Sequence, residues 1–294
     1  MEHKHLHEAN RLSWNAATRA HNRHKGDQAA FFRAGGSPLF PEETGLLGDV
    51  AGQSVLHLQC NAGQDSLGIA RLGARVTGVD ISDEAIGFAK ALAEGSGIAA
   101  EFVRSDVYDY FDALAARGGE GGGGSFDTVF SSYGTICWLS DLARWARGIA
   151  AALRPGGRFV FVEFHPAALV FDPEWKARYD YFNEAPVHES GVGDYVAETQ
   201  NAREVQEGAA PTAAEPAFAN PHPCHEFAWG VGRVVAALLA AGLRIEALQE
   251  YPYMNGWCAF EGMQDLGERR WGMPAGMARM PLMYSIVARR PAVG

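Results

Sequence analysis

The chain has 294 residues, with 25 Lys and Arg against 35 Asp and Glu, for a formal charge of −10. Apolar residues make up 47% and charged residues 20%, enough to bury a sizeable core and unlike the make-up of extended disorder. The acidic balance argues against a surface that coats nucleic acid, since that needs clustered Lys and Arg; a small nucleotide needs only a local site.

The opening residues MEHKHLHEANR are polar, with no signal-peptide core, and the longest apolar run, Val234 to Leu243, is too short for a bilayer. Cys60, Cys137, Cys224 and Cys258 lie far apart with no CxxC pair, which reads as reduced thiols in a cytoplasmic protein with no membrane partner. Residues 13–25 carry Trp14, Thr18 and His21 on one helical face. From Val55 the pattern is βαβ: strand Val55–Leu58, turn QCNAGQ, helix Asp65–Leu72, then strand Ala74–Asp80. Ser82 reads as an N-cap with Asp83 and Glu84 in the first turn of a helix to about Glu94. Strand Phe102–Asp106, helix Asp109–Arg117, strand Phe126–Ser132, helix Leu142–Leu153, an RPGG turn and strand Arg158–Phe164 follow. The chain has 35 glycines, and the run GGEGGGG at 118–124 reads as a connector at the rear of the sheet. Residues 165–228 are aromatic-rich and aperiodic, as in a lid-like insertion, with 207–223 a low-complexity loop. A helix at Trp229–Ala241 and strands at Arg244–Tyr253 and Met283–Arg290 close the pattern, and the Met- and Trp-rich 254–282 covers part of a pocket. The divisions are thus 1–48, 49–164, 165–228 and 229–294.

In a doubly wound sheet the ligand sits at the carboxyl ends of the strands. The turn His57–Asp65 holds one glycine, Gly63, and no GxGxxG, which disfavours a dinucleotide cofactor. Asp80 ends the second strand, where a carboxylate accepts from both hydroxyls of a ribose; Asp106 ends the third, where it can accept from an adenine amino group.

The stretch VLHLQCNAGQDSLGIARLGARVTGVDIS (55–82) resembles motifs I and II of class I S-adenosylmethionine-dependent methyltransferases. FVRSDVYD (102–109), FDTVFSSYGTICWL (126–139) and LRPGGRFVFVEFHP (153–166) resemble the later motifs in order. HLQCxxGQDSL is similar to a variant of motif I carried by a small-molecule subgroup. The resemblance implies an α/β fold: a seven-stranded Rossmann-like sheet, mostly parallel with the last strand antiparallel. It implies S-adenosyl-L-methionine as cofactor, S-adenosyl-L-homocysteine as product, and a small-molecule partner. Asp80 then binds the ribose, Ile81 packs on the adenine, and Asp106 and Val107 hold its edge. The turn containing His57, Gln59, Asn61, Gly63, Gln64 and Asp65 supports the methionine part, with Ser131 at the end of the fourth strand. The family has an acid where His57 stands and glycines at Gln59 and Asn61. A neutral His57 can accept a hydrogen bond there, whereas a protonated one repels the cofactor's ammonium. The N-terminal segment is implied to close over the cofactor.

On the acceptor side, Tyr133 follows the fourth strand and can orient the sulfonium, and no NPPY or DPPY motif marks a nucleobase or glutamine amine as acceptor. His165, just past the fifth strand, is the candidate general base, with Glu163 structural at mid-strand. Trp14, Tyr133, His165, His225 and Trp229 are the candidate substrate residues. His222, Cys224 and His225 are too close in sequence to make a four-ligand metal site alone, so no metal is expected. Non-methyl chemistry at the same cofactor, such as its cyclisation, and non-catalytic cofactor binding remain open alternatives.

Overall fold

Short apolar runs flanked by amphipathic helices can be buried only in a sheet covered on both faces. The computed structural model describes residues 3–117, 124–206 and 218–292. Three helices, α1 (Lys4–Arg23), α2 (Gln28–Arg33) and α3 (Pro41–Leu47), precede strand β1 (Ser54–Leu58). Next come α4 (Gln64–Arg71), β2 (Arg75–Asp80), α5 (Asp83–Ser96), β3 (Glu101–Arg104), α6 (Val107–Arg117), β4 (Phe126–Ser132), α7 (Leu142–Ala152) and β5 (Leu153–Phe164). The insertion holds β6 (Val187–Glu189), α8 (Tyr195–Gln206) and β7 (Cys224–Glu226). The chain then runs through α9 (Val231–Ala240), β8 (Arg244–Tyr251), β9 (Tyr253–Asn255), β10 (Gln264–Asp265), β11 (Arg270–Gly272) and β12 (Met283–Arg289).

The main sheet has seven strands in the order β3-β2-β1-β4-β5-β12-β8. β1 to β5 pair in parallel, and β12 runs antiparallel between β5 and β8, as the resemblance implied. Every residue of β4 is buried, which explains its unbroken apolar run. Ser82 Oγ accepts from Ala85 N at 3.1 Å, capping α5 as its sequence position suggests. β5 begins at Leu153, directly after α7, instead of after the RPGG turn: Leu153 pairs with Phe126, and a register shift between Phe126 and Thr128 absorbs the turn.

The insertion is more regular than its sequence indicates. β6 and β7 form an antiparallel ladder, and α8 stands where no apolar period could be read. The 254–282 segment folds as a second, three-stranded sheet in the order β10-β11-β9, whose Met254, Met263 and Trp271 pack with Phe164 and Met283. Of the glycine run only Gly124, and of the 207–223 loop only 218–223, lie within the described residues. No helix among the described residues is long and apolar enough to cross a membrane.

α1 is fastened across one edge of this assembly. Asn10 exchanges two hydrogen bonds with the His225 backbone, of 2.7 and 2.8 Å. Ser13 Oγ donates to His222 O and accepts from Val192 N, both at 3.0 Å. On the core side Asn15 Oδ1 accepts from Ser82 Oγ at 2.7 Å.

Behind the sheet, Trp145 of α7 is fully buried edge-on to Phe159 and Phe161, with ring centroids 5.4 and 5.8 Å away. Trp145→Ala is expected to lower the unfolding free energy by about 3–5 kcal/mol. A lower denaturant midpoint with unchanged slope is the readout, and a midpoint equal to wild type contradicts this packing.

Candidate functional site

The carboxyl ends of β1, β2, β3 and β4 lie along one edge, and each delivers a polar residue there. The turn leaving β1 is left-handed at three positions: Gln59 (φ 52°), Asn61 (φ 47°) and Gly63 (φ 79°). The two positions where the family has glycines therefore keep the backbone that glycine serves, at a cost of about 1–2 kcal/mol per non-glycine residue. Local bonds offset that cost. Asn61 Oδ1 accepts from Ala62 N at 2.6 Å, and Asn61 N donates to Asp80 Oδ2 at 2.8 Å. Gln59 Nε2 donates to Thr135 O at 2.8 Å, tying the turn to the loop after β4. Gly63 is required twice over, by its φ and because a Cβ would lie 2.7 Å from Ala89 and 2.8 Å from Phe102.

His57 is not part of the exposed edge. It is buried inside β1, with Nδ1 2.8 Å from Ser66 Oγ and its ring against Phe130. Burial alone pushes its pKa down to about 3, so the imidazole is neutral at physiological pH and cannot repel an ammonium.

Asp80 accepts from Asn61 N and from Ser82 N, both at 2.8 Å. Burial raises its pKa to about 6 in spite of these donors. Asp106 accepts from Tyr108 N at 2.8 Å and pairs with His7 Nδ1 of α1 at 2.7 Å. Burial pushes this carboxyl up, but the His7 hydrogen bond and charge outweigh it and hold the pKa below the usual range. Ile81, Asp106, His7, Lys4, Glu8 and Arg104 line a recess of about 310 Å³ between the strand ends and α1. Val107 is buried at the start of α6.

Past β4, Ser131 Oγ lies 3.0 Å from Thr135 Oγ1 inside the core. Tyr133 is left-handed (φ 40°) and packs between Phe40 and Phe164, and its hydroxyl accepts from Asn255 Nδ2 at 2.9 Å. Burial, reinforced by Glu43, raises its pKa well above the ordinary value, so the phenol keeps its proton. Glu163 is structural, as its position suggests: it accepts from the N–H groups of Gly134, Thr135, Ile136 and Phe164 and so shapes the loop carrying Tyr133.

The remaining expected site residues are held in contacts of their own. His165 points toward β12 and β8: Nδ1 accepts from Ala167 N at 3.1 Å, and Nε2 faces Glu250 Oε1 at 3.1 Å. Both ring nitrogens are engaged, which leaves no free lone pair for a general base. Trp229 Nε1 donates to Leu139 O at 2.7 Å, and the ring lines a separate recess of about 480 Å³ with His3, Asp141 and Arg144. His225 pairs with His188, Nδ1 to Nδ1 at 2.6 Å, on the β6–β7 ladder. Trp14 is edge-on to Trp138, 5.4 Å between centroids, where α1 meets the loop after β4. No cluster of three or more His, Cys, Asp or Glu suited to a metal ion occurs among the described residues.

One network here was invisible in the sequence. Glu42 of α3 accepts from Tyr253 Oη at 2.7 Å and from Asn255 Nδ2 at 3.1 Å, and pairs with Arg270 at 2.6 Å. Asn255 thereby connects the small sheet to Tyr133.

The order and directions of the seven strands are those of the Rossmann-like methyltransferase fold. Residues 55–157 match the family described as a methyltransferase domain. An S-adenosylmethionine-dependent methyltransferase from Mesorhizobium loti superposes with a TM-score of 0.53 at 22% identity, covering 85% of this chain and 96% of that one. The ubiquinone biosynthesis O-methyltransferase of Methylobacterium sp. (strain 4-46) is 34% identical over 131 residues, 45% of this chain and 46% of that protein. Its namesake in Xanthomonas euvesicatoria pv. vesicatoria is 34% identical over 110 residues, 37% of this chain and 42% of that protein. The similarity thus spans less than half the length of either curated relative.

The state of His57 is open to test. Between pH 6.5 and about 3 the unfolded chain binds a proton at this residue that the folded chain refuses. Its contribution to stability is therefore complete above pH 6.5 and is lost as the pH falls toward 3. His57→Gln is expected to narrow the gap between denaturant midpoints at pH 7 and pH 4; an undiminished gap contradicts the assignment.

Proposed function

We propose that this chain is an S-adenosylmethionine-dependent methyltransferase that methylates O, N or C of a small organic molecule. The observation that carries the reading is the ordered edge: a left-handed turn, then Asp80, then Asp106, at the ends of three adjacent parallel strands. The residues present fit the cofactor, because groups at this edge have unspent bonding capacity. Gln59 Oε1 and His7 Nε2 are buried with no partner among the described residues. The relatives' names favour an oxygen nucleophile as acceptor.

When bound, the cofactor supplies a methyl group made electrophilic by its sulfonium. The chain's own task is to hold and orient. Asp80, once ionised, accepts from the ribose hydroxyls; Ile81 packs on the adenine; Asp106 accepts from the adenine amino group, with Val107 at its edge. His57, Asn61 and Gly63 set the turn's shape, while Gln59, Gln64 and Asp65 face the methionine part. The protonated Tyr133 hydroxyl can orient a reacting group but cannot take its proton. With both His165 nitrogens engaged, the reading favours catalysis by proximity and exclusion of water over proton abstraction there. Segments 1–48 and 165–228 act together as the cover, because α1 is bonded to the insertion.

Calorimetry with S-adenosylmethionine and S-adenosylhomocysteine on wild type and Asp80→Ala tests this directly. Micromolar binding by wild type, lost in the variant, is the expected result, and no binding by wild type overturns the reading. The affinity is also expected to depend on pH. Hydroxyl donors favour the ionised Asp80, so binding weakens as the pH falls through about 6, and Asp80→Asn flattens that profile. An unchanged affinity between pH 7.5 and 5 contradicts the role of Asp80.

A further inference from the structure

The bonds around Tyr133 leave one donor and one acceptor unspent. Asn255 of β9 gives one N–H of its side-chain amide to Tyr133 Oη at 2.9 Å and the other to Glu42 Oε2 at 3.1 Å. Both hydrogens of the amide are then used, and its Oδ1 is buried with no partner among the described residues. Tyr133 Oη accepts from Asn255, and its own proton has no acceptor among the described residues. The idle phenol proton and the idle amide oxygen are neighbours, because one small amide group carries both Nδ2 and Oδ1.

Glu42 fixes this arrangement. Arg270 stands opposite Asn255 across β11 and β9 and pairs with Glu42 Oε1, which also accepts from Tyr253 Oη. Burial pushes the Glu42 carboxyl up, but the hydrogen bonds from Tyr253 and Asn255 and the charge of Arg270 outweigh it and hold it below the usual range. An ionised carboxylate only accepts, so the amide nitrogen has to face it and the amide cannot turn over. The charge of Glu42 is met by Arg270, which leaves the free end of the network neutral.

The two idle groups select a ligand by its hydrogen-bonding capacity. An ether or a carbonyl accepts from Tyr133 but leaves Asn255 Oδ1 buried and unpaired; an ammonium does the reverse. A hydroxyl does both through one atom. The Tyr133 ring is half-buried between Phe40 and Phe164, and Trp257 lies against Phe164 with centroids 5.1 Å apart, so aromatic rings flank the pair. We propose that Tyr133 and Asn255 together bind a hydroxyl group of a small aromatic molecule, with Tyr133 donating to its oxygen and Asn255 Oδ1 accepting from it. Glu42 and Arg270 are the positioning residues that hold the pair. The assignment rests on the function proposed above, in which that molecule is the methyl acceptor. It adds to the acceptor side a residue of the small sheet, Asn255.

The test uses protein saturated with S-adenosylhomocysteine and measures, by ligand-observed NMR titration, the affinities of phenol, p-cresol and their methyl ethers. Wild type should prefer each phenol to its ether by about tenfold, the scale of a lost hydrogen bond plus a buried acceptor left unpaired. Asn255→Ala and Tyr133→Phe should each bring that preference below about threefold. Glu42→Ala, which frees the amide to turn, should lower it in the same direction while the ethers bind as in wild type. An affinity for S-adenosylhomocysteine within about twofold of wild type shows that a variant is folded. Tyr133→Phe, which keeps the ring, carries the test if Asn255→Ala does not fold. A preference that survives in Tyr133→Phe overturns the assignment, and so does equal weakening of phenol and ether, which marks a role in packing alone. Wild type that fails to bind S-adenosylhomocysteine defeats the parent reading, whereas wild type that binds it without discriminating phenol from ether defeats this assignment alone.

Discussion

The carboxylate of Asp80 is the joint on which the site depends. One oxygen fixes Asn61 N in the turn after β1, and the other fixes Ser82 N at the entry to α5. Two crossovers of the sheet are thus held to one side chain, and the strained backbone at Asn61 hands its N–H group to it. The same burial that makes these bonds strong also raises the carboxyl toward neutrality. A single residue therefore ties two crossovers together while its charge is set by pH.

A second carboxylate repeats the device farther along the sheet. Glu163 collects four backbone N–H groups and shapes the loop in which Tyr133 is left-handed. Glu42 then reaches Tyr133 through Asn255, so the small β9–β11 sheet, α3 and the end of β4 are registered against one another. Asp80, Asp106 and Glu163, at or just past the ends of β2, β3 and β5, each accept from backbone N–H groups, which offset part of the cost of their burial.

What the sequence discloses follows from the range of the interactions. Strands β1 and β4, and β5 from Phe159 on, are legible because they are buried on both faces, and Asp80 and Asp106 are legible because they stand at and just past the ends of short strands rich in β-branched and aromatic residues. α8 is not legible: among the residues of YVAETQNAREVQ whose burial is described, none is fully buried to impose a helical period. Strands of two or three residues, as in β9 to β11, fall below any pattern. Tertiary placement decides the rest. His57 is harmless because of burial that no local pattern reports, and the idle oxygen of Asn255 exists only because Glu42 and Tyr133, 213 and 122 positions earlier, take its N–H groups. His165 occupies a position that suits a base, but its ring is spent on Ala167 and on Glu250, 85 positions away.

The fastening of α1 to the insertion also sets an order of events during synthesis. The helix precedes by about two hundred residues its hydrogen-bond partners at Val192, Gly193, Asn220, His222 and His225. The parallel strands β1 to β5 can assemble before those partners exist. The long separation between α1 and its anchors makes the fastening of this helix a late event of folding.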